Sequence, residues 1–258
     1  MGLDYVGGRG WLVGLALVLG TVLGSFANVL IYRLPRQESI VAPGSRCPHC
    51  GTPISPWDNL PIVSYLLLRG RCRHCRRPIG LRYLVVEAAG GALLAGLVWQ
   101  YGVTLMAARF AVLAVALLVV FFTDLETGLI PNAITYPGIA LGLIFAGASG
   151  TGMLASSVFT AAGAGGIFLL IGILSRGGMG GGDMKLAAML GAFLGSPGAI
   201  VALFLAVTIG AIAGLILIAL RLRTRKDVIP FGPALAVGAV IAMFGQDVIV
   251  QWYLTRLS

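Results

Sequence analysis

The chain has 258 residues, of which 58% are hydrophobic and only 10% are charged, and its mean hydropathy is +0.97. This composition excludes an ordinary soluble domain and indicates an all-α, polytopic membrane protein. The net charge of +9 predicts no nucleic-acid partner, because a basic cytoplasmic face beside anionic lipid accounts for it.

Apolar runs long enough to span a bilayer recur along the chain, since a transmembrane helix needs about 20 such residues. The first run predicts a retained span and not a signal peptide, because it is long and no small-residue cleavage site follows it. We expect about eight transmembrane helices, the sixth of them short, at residues 11–32, 83–101, 105–122, 133–149, 154–174, 185–195, 199–220 and 231–252.

Many glycines lie within these runs. Small residues let two transmembrane helices approach closely, so we expect most of these glycines at helix contacts. They include Gly14, Gly20, Gly24, Gly90, Gly91, Gly163, Gly165, Gly166, Gly210 and Gly214.

One segment, residues 33–82, is polar and long enough to fold outside the bilayer. The predicted organisation is a first span in 1–32, a small domain in 33–82 and a membrane core in 83–258. If the N-terminus is outside, the small domain is cytoplasmic and carries nine arginines. The other inner basic residues are then Arg176, Lys185, Arg221, Arg223, Arg225 and Lys226, against Arg9, Arg109 and Arg256 outside. This distribution follows the positive-inside rule.

All four cysteines lie in this small domain, as two C-x-x-C pairs: Cys47 with Cys50, and Cys72 with Cys75. Two such pairs are typical of a closed, structural zinc site that stabilises a small domain. Disulfides are disfavoured in a reducing cytoplasm, and a redox C-x-x-C would need no second copy. His49 and His74 lie inside the pairs and are expected to be solvated or outside the ligand set.

The acidic residues divide into two groups. Asp4, Glu38, Asp58, Asp227 and Asp247 fall in loops or near the chain ends, where solvation is expected. Glu87, Asp124, Glu126 and Asp183 lie within or at the ends of apolar runs, where ionisable groups are costly and commonly functional.

Asp124 and Asp183 reach the same inner face in the predicted topology, which would allow an aspartyl dyad that activates water. Position alone leaves three alternatives open. Asp183 could be a helix N-cap, Asp124 and Glu126 could be interfacial residues paired with arginines, or the acids could bind coupling ions in a transporter.

The ordered blocks of the chain resemble the type IV prepilin peptidases, membrane aspartyl proteases of the G-x-G-D type. The blocks are "GSFANVLIYRLP" (24–35), "SRCPHC" (45–50), "DNLPIVSYLLLRGRCRHC" (58–75), "RYLVVE" (82–87), "TDLETGLIPN" (123–132), "GMGGGDMKL" (178–186) and "PFGPAL" (230–235). The four-cysteine domain argues against a presenilin-type G-x-G-D protease, and the absence of a visible repeat argues against an ion-coupled transporter.

The resemblance implies an inner-membrane enzyme that cleaves the basic leader of prepilins or pseudopilins after a glycine, and then N-methylates the new N-terminus with S-adenosylmethionine. Asp124 and Asp183 match the family's catalytic pair, and Cys47, Cys50, Cys72 and Cys75 match its zinc tetrad. Gly24, Asn28, Arg33 and Glu87 are candidates for methyl transfer, with helix packing and interfacial anchoring as equal alternatives.

Two positions depart from the family pattern. Gly181 stands between the glycines of the G-x-G-D block, where the family often has a larger residue, and we expect a looser loop there. The block "RYLVVE" lacks a proline that commonly follows its tyrosine.

Overall fold

The computed structural model describes residues 10–175, 179–224 and 229–257. Predictions that concern Asp4, Arg9, Arg176, Gly177, Gly178, Arg225, Lys226 and Asp227 lie outside these ranges. Within the ranges the chain is mostly helical and contains no β-strand.

The helices are numbered in chain order over the described residues. They are α1 (Gly10–Arg33), α2 (Val63–Leu67), α3 (Leu81–Tyr101), α4 (Leu105–Thr127), α5 (Asn132–Ala148), α6 (Thr151–Leu174), α7 (Gly181–Ala219) and α8 (Gly232–Leu257). Six of those described, all except α2 and α5, are long and apolar enough to cross a membrane. The prediction of a helical, multi-pass membrane protein is therefore confirmed.

Helix α7 covers both the sixth and the seventh predicted spans. Its backbone leaves helical geometry at Gly195, where φ is +61°, and at Ser196, just before Pro197. The Ser196 N–H donates to Ser156 Oγ at 2.9 Å, which satisfies one of the groups freed by the break. The count of eight spans stays a prediction. It requires that α7, a single helix in its assigned bounds, crosses the membrane twice, and that α5, with only 17 residues, also crosses it.

The chain forms two compact units, one up to Val119 and one from Val120. In the first unit, α1 packs against α3 through facing glycines. A Cβ on Gly20 would lie 2.8 Å from the Gly91 Cα, and a Cβ on Gly24 would lie 2.7 Å from the Val86 carbonyl oxygen. Larger side chains here would force the two backbones apart.

In the second unit, α7 is the central helix and packs against α5, α6 and α8. Its residues Leu186–Leu194 include a buried apolar set: Leu186, Met189, Leu190, Phe193 and Leu194. Three close approaches bring the neighbouring helices to it. Gly142 of α5 faces Ala192, Gly191 faces Ala161 of α6, and Gly238 of α8 faces Ala206.

The glycine prediction is confirmed at some positions and wrong at others. A Cβ would meet another atom at or below ordinary van der Waals distance at Gly20, Gly24, Gly90, Gly91, Gly165, Gly210 and Gly214. At Gly14, Gly163 and Gly166 a Cβ would meet nothing within 4 Å. Apolar runs alone do not reveal which face of a helix a glycine occupies, since a membrane span is apolar on its lipid-facing side as well.

We predict that Gly191→Ala lowers the thermal stability of the detergent-solubilised protein, whereas Gly163→Ala does not. A Cβ on Gly191 would lie 2.6 Å from the Ala161 Cα, and overpacking of this kind costs about 1–3 kcal/mol. Gly163 is the matched control, because it is also a helical glycine but its Cβ position is open. Equal unfolding temperatures for the two variants would contradict the packing described for α6 and α7.

Candidate active site

Asp124 lies in the last turn of α4 and is only 5% exposed. Its Oδ2 accepts a hydrogen bond from the backbone N–H of Gly232, the first residue of α8, at 2.8 Å. A Cβ on Gly232 would lie 2.6 Å from that oxygen, so a side chain there would displace the carboxylate. Asp124 forms no ion pair within the described residues.

Asp183 lies in the first turn of α7 as its third residue. The N-cap of this helix is Gly180, so the alternative in which Asp183 is the N-cap is wrong. Asp183 Oδ1 is buried and has no hydrogen-bond partner in the described part of the chain. Oδ1 is thus available to accept a hydrogen bond from a ligand, in the positive field of a helix N-terminus.

The two aspartates come together because the turn after α4 docks on the start of α7. Ile130, from this turn, packs against Gly182, where a Cβ would lie 2.8 Å from the Ile130 Cβ. Lys185 Nζ donates to Asn132 Oδ1 at 2.9 Å. The carboxylates of Asp124 and Asp183, 59 positions apart in the chain, are close enough to interact electrostatically.

Gly181 and Gly182 have different surroundings although they are adjacent. A Cβ on Gly181 would meet nothing within 4 Å, and its backbone is not in the left-handed region. The position that departs from the family pattern is therefore open to a larger side chain, whereas the next position is closed by Ile130. The glycine that the local structure requires is Gly182.

This arrangement can hold and activate water. Two carboxylates in close proximity share a proton, so that one can act as a base while the other acts as an acid. Both histidines and all four cysteines of the chain lie in 33–82, so the unit that contains the aspartates offers no thiol or imidazole nucleophile.

The four cysteines form a second centre, in the first unit. Their Sγ atoms lie within 4.8 Å of one another, and neither histidine belongs to this group of potential ligands. All four are free thiols. The Cys47 and Cys75 sulfurs are 3.8 Å apart, far beyond the bond length of about 2.05 Å in a disulfide and close to the edge of a tetrahedron with zinc–sulfur bonds of about 2.3 Å.

The two C-x-x-C turns share one local fold. The Gly51 N–H donates to the Cys47 carbonyl at 2.9 Å, and the Arg76 N–H donates to the Cys72 carbonyl at 3.0 Å. Gly51 and Arg76 both have positive φ, and each turn is closed by an isolated bridge, Arg46 to Pro53 and Arg71 to Pro78. The repeated geometry presents two sulfurs from each turn, as a four-thiolate metal site requires.

An ion pair connects the second turn to the rest of the small domain. Asp58 accepts hydrogen bonds from Arg73 at 2.6 Å, 2.8 Å and 3.1 Å. The prediction that Asp58 is merely solvated is wrong, because its side chain is 11% exposed and paired. The hydrogen bonds from Arg73 lower the pKa of Asp58, so the pair stabilises the fold at neutral pH and is lost as acid protonates the carboxylate.

A cavity of about 700 Å³ lies between the end of α1, the cysteine turns and the start of α3. Asn28, Arg33 and Glu87, three of the four candidates for methyl transfer, line this cavity. Gly24 does not line it and instead lies at the crossing of α1 with α3. Arg33 holds the following loop, since its guanidinium donates to the Ser39 and Pro43 carbonyls.

Comparisons with known proteins match both halves of the chain. Residues 18–101 match the bacterial peptidase A24 N-terminal domain, and residues 111–215 match the type IV leader peptidase family. The chain is 37% identical to the prepilin leader peptidase/N-methyltransferase of Neisseria gonorrhoeae, with 95% of each chain covered. The chain belongs to the type IV leader peptidase family.

Other members of the type IV leader peptidase family are similar over most of their length. The prepilin leader peptidase/N-methyltransferase of Pseudomonas aeruginosa is 35% identical, with 92% of each chain covered, and that of Legionella pneumophila is 35% identical. No solved structure matches the chain. Membership of a peptidase family identifies the chain as a protease and decides against the ion-coupled transporter.

Sequence reasoning missed several residues that position the aspartates. Gly232 was recognised only as part of the block "PFGPAL", although a Gly-Pro step before an apolar run is a usual sign of a helix start. Ile130, Asn132 and Lys185 gave no signal, because nothing in their spacing indicates that they meet.

We predict that Gly182→Ala lowers peptidase activity by about 10²-fold, since a displacement near 1 Å at a catalytic group can have that effect. The added Cβ would push Ile130 and the first turn of α7 apart. The matched control is Gly181→Ala, which should keep activity and gain about 0.4–1 kcal/mol of stability from a less flexible unfolded chain. Initial rates on a leader peptide and unfolding temperatures test both, and equal activity of the two variants would contradict the docking of Ile130 on Gly182.

Proposed function

We propose that this chain removes the basic leader of type IV prepilins or pseudopilins after a glycine, at the cytoplasmic face of the bacterial inner membrane. The observation that carries the proposal is that Asp124 and Asp183 interact within one compact unit. Gly232, which contacts Asp124, and Gly182, which precedes Asp183, have no room for a side chain. Relatives at 33–37% identity are named prepilin leader peptidase/N-methyltransferase, which supports this substrate class.

In the proposed reaction, water bound between the two aspartates is the nucleophile. One carboxylate takes a proton from the water molecule while the water oxygen bonds to the scissile carbonyl carbon. The other carboxyl group donates a proton to the carbonyl oxygen. The tetrahedral intermediate then breaks its C–N bond as the nitrogen receives a proton. The products are a leader with a free carboxylate and a mature chain with a free amine.

We propose eight spans with the N-terminus outside, in the division 1–32, 33–82 and 83–258. The break at Gly195 and Ser196 supports two spans within α7, and the apolar α5 supplies the remaining one. In this orientation the cysteine domain, Asp124 and Asp183 all face the cytoplasm. The excess of basic residues on that side supports it, and the basic leader stays in the compartment where it was synthesised.

We propose that the four cysteines hold one structural zinc ion. Four thiolates leave no open position for water, so the metal would stabilise the small domain and take no part in proteolysis. This role suits a segment that has little apolar core, since Cys47 is the only residue described in 34–80 whose apolar side chain is buried. Small domains of this kind commonly need a metal.

We also propose that the cavity of the first unit serves N-methylation. Its volume of about 700 Å³ falls in the range usual for small-molecule sites, about 300–1,000 Å³. Asn28, Arg33 and Glu87 would contact or position S-adenosylmethionine and the acceptor, while Gly24 would let α1 approach α3. When bound, S-adenosylmethionine supplies an electrophilic methyl group. The names of the relatives support this second activity.

We expect Asp124→Asn and Asp183→Asn each to lower leader cleavage by about 10²–10⁴-fold, because each removes a group that transfers protons. The measurement is hydrolysis of a synthetic leader peptide by protein reconstituted in lipid, read by mass spectrometry. Asp247→Asn is the matched control, since Asp247 is an exposed acid of α8 outside the site. Near-normal turnover of either site variant would rule out the two-carboxylate mechanism.

We expect purified protein to contain close to one zinc per chain, and Cys47→Ser to lose most of it. Metal analysis together with thermal unfolding checks both, because removal of a structural zinc should destabilise the small domain. His49→Ala is the control, since His49 lies outside the ligand cluster. A disulfide found by mass spectrometry, or metal retained equally in both variants, would refute the four-thiolate site.

A further inference from the structure

Glu87 is a buried acid whose charge no cation in the described residues balances. It lies in α3 and is 8% exposed, and its Oε2 accepts a hydrogen bond from the Ile62 N–H at 2.7 Å. The Ser25 hydroxyl also interacts with it. A carboxylate has about four acceptor positions, so these contacts leave acceptor capacity unused on a residue that lines the cavity.

Asn28 provides a second unused acceptor on the same cavity wall. Its Nδ2 donates to the Tyr83 carbonyl at 3.1 Å, which fixes the orientation of the amide. Its Oδ1 is buried and has no hydrogen-bond partner among the described residues. Tyr83 precedes Glu87 by one turn of α3, so Asn28 lies one helical turn from Glu87.

Three of the four arginines that line this cavity, all except Arg46, make side-chain contacts elsewhere. Arg33 donates to the Ser39 and Pro43 carbonyls, and Arg73 is paired with Asp58. Arg77 contacts the His49 ring at 3.3 Å. A buried carboxylate without a cationic partner is costly, and here the partner can be supplied by a ligand.

We propose that Glu87 and Asn28 form a subsite for a primary ammonium group. Such a group carries a positive charge and three N–H donors, which match one carboxylate and one amide oxygen. The proposal rests on the proposed methyl transfer in this cavity. That reaction involves two primary amines, the N-terminal amine of the cleaved chain and the amine of the methyl donor.

Two pairs of probes distinguish these sources, each measured by equilibrium binding to the full-length protein in detergent. The first pair is a peptide that begins with phenylalanine, with either a free or an acetylated N-terminus. The second pair is S-adenosylhomocysteine, which has the amine, and 5′-methylthioadenosine, which lacks it. Neither nucleoside carries a sulfonium charge, so an effect of the amine is not confused with one of the sulfur.

The test variant is Glu87→Gln, which keeps an oxygen for the Ile62 N–H but removes the charge. We expect an amine-bearing probe to bind about tenfold more weakly, because the loss of one hydrogen bond to a charged group changes a dissociation constant by about that factor. The probes without an amine should bind as they do to wild type, which shows that the cavity is folded. Glu38→Gln is the matched control, because Glu38 also lines the cavity but is exposed.

The results separate this inference from the function it rests on. Weaker binding of the free-amine peptide alone assigns the subsite to the methyl acceptor, and weaker binding of S-adenosylhomocysteine alone assigns it to the donor. Wild-type binding of every probe by Glu87→Gln overturns the ammonium subsite and leaves methyl transfer in the cavity standing. If wild-type protein binds none of the four probes, both the subsite and the proposed use of the cavity are wrong.

Discussion

The contact of the α4–α5 turn with the first turn of α7 is the constraint on which the second unit depends. Two contacts fix the first turn of α7 against this turn: Ile130 packs on Gly182, and Lys185 donates to Asn132. They therefore fix the position of Asp183 relative to Asp124. Because α7 is also the helix on which α5, α6 and α8 pack, a shift at its start would be transmitted to the core. The site and the core of this unit thus share one helix.

The buried acids are held in a way that keeps their charges available. Backbone N–H groups hold both Asp124 and Glu87, from Gly232 and Ile62 respectively. An N–H group fixes an oxygen in place and reduces the cost of burial without neutralising the carboxylate. Asp58 is the contrast, since its bidentate pairing with Arg73 uses its charge for structure. The two acids to which we assign proton transfer and cation binding thus keep their charge, whereas the charge of Asp58 is used to stabilise the fold.

Most of the architecture could be predicted because it follows from local patterns. Apolar runs predicted the positions of the helices, and the predicted gap between the sixth and seventh spans coincides with the break at Gly195 and Ser196. The two C-x-x-C pairs predicted a cysteine cluster, and the Sγ atoms do converge. Local patterns failed where the outcome depended on a neighbour, as at Gly163, which faces no helix, and at Asp58, which meets Arg73.

The sequence by itself determined that this is a multi-pass membrane protein with a four-cysteine cluster, and it singled out Asp124 and Asp183 as candidates. Hydropathy, cysteine spacing and acids in apolar runs are properties of short segments, so no tertiary contact is needed to recognise them. Only the tertiary structure decided that Gly180 is the N-cap in place of Asp183, and that Gly182 is the glycine the site requires. It also placed the Gly232 N–H on Asp124, across 108 positions of the chain. Such contacts are set by how helices pack, and no local pattern encodes them.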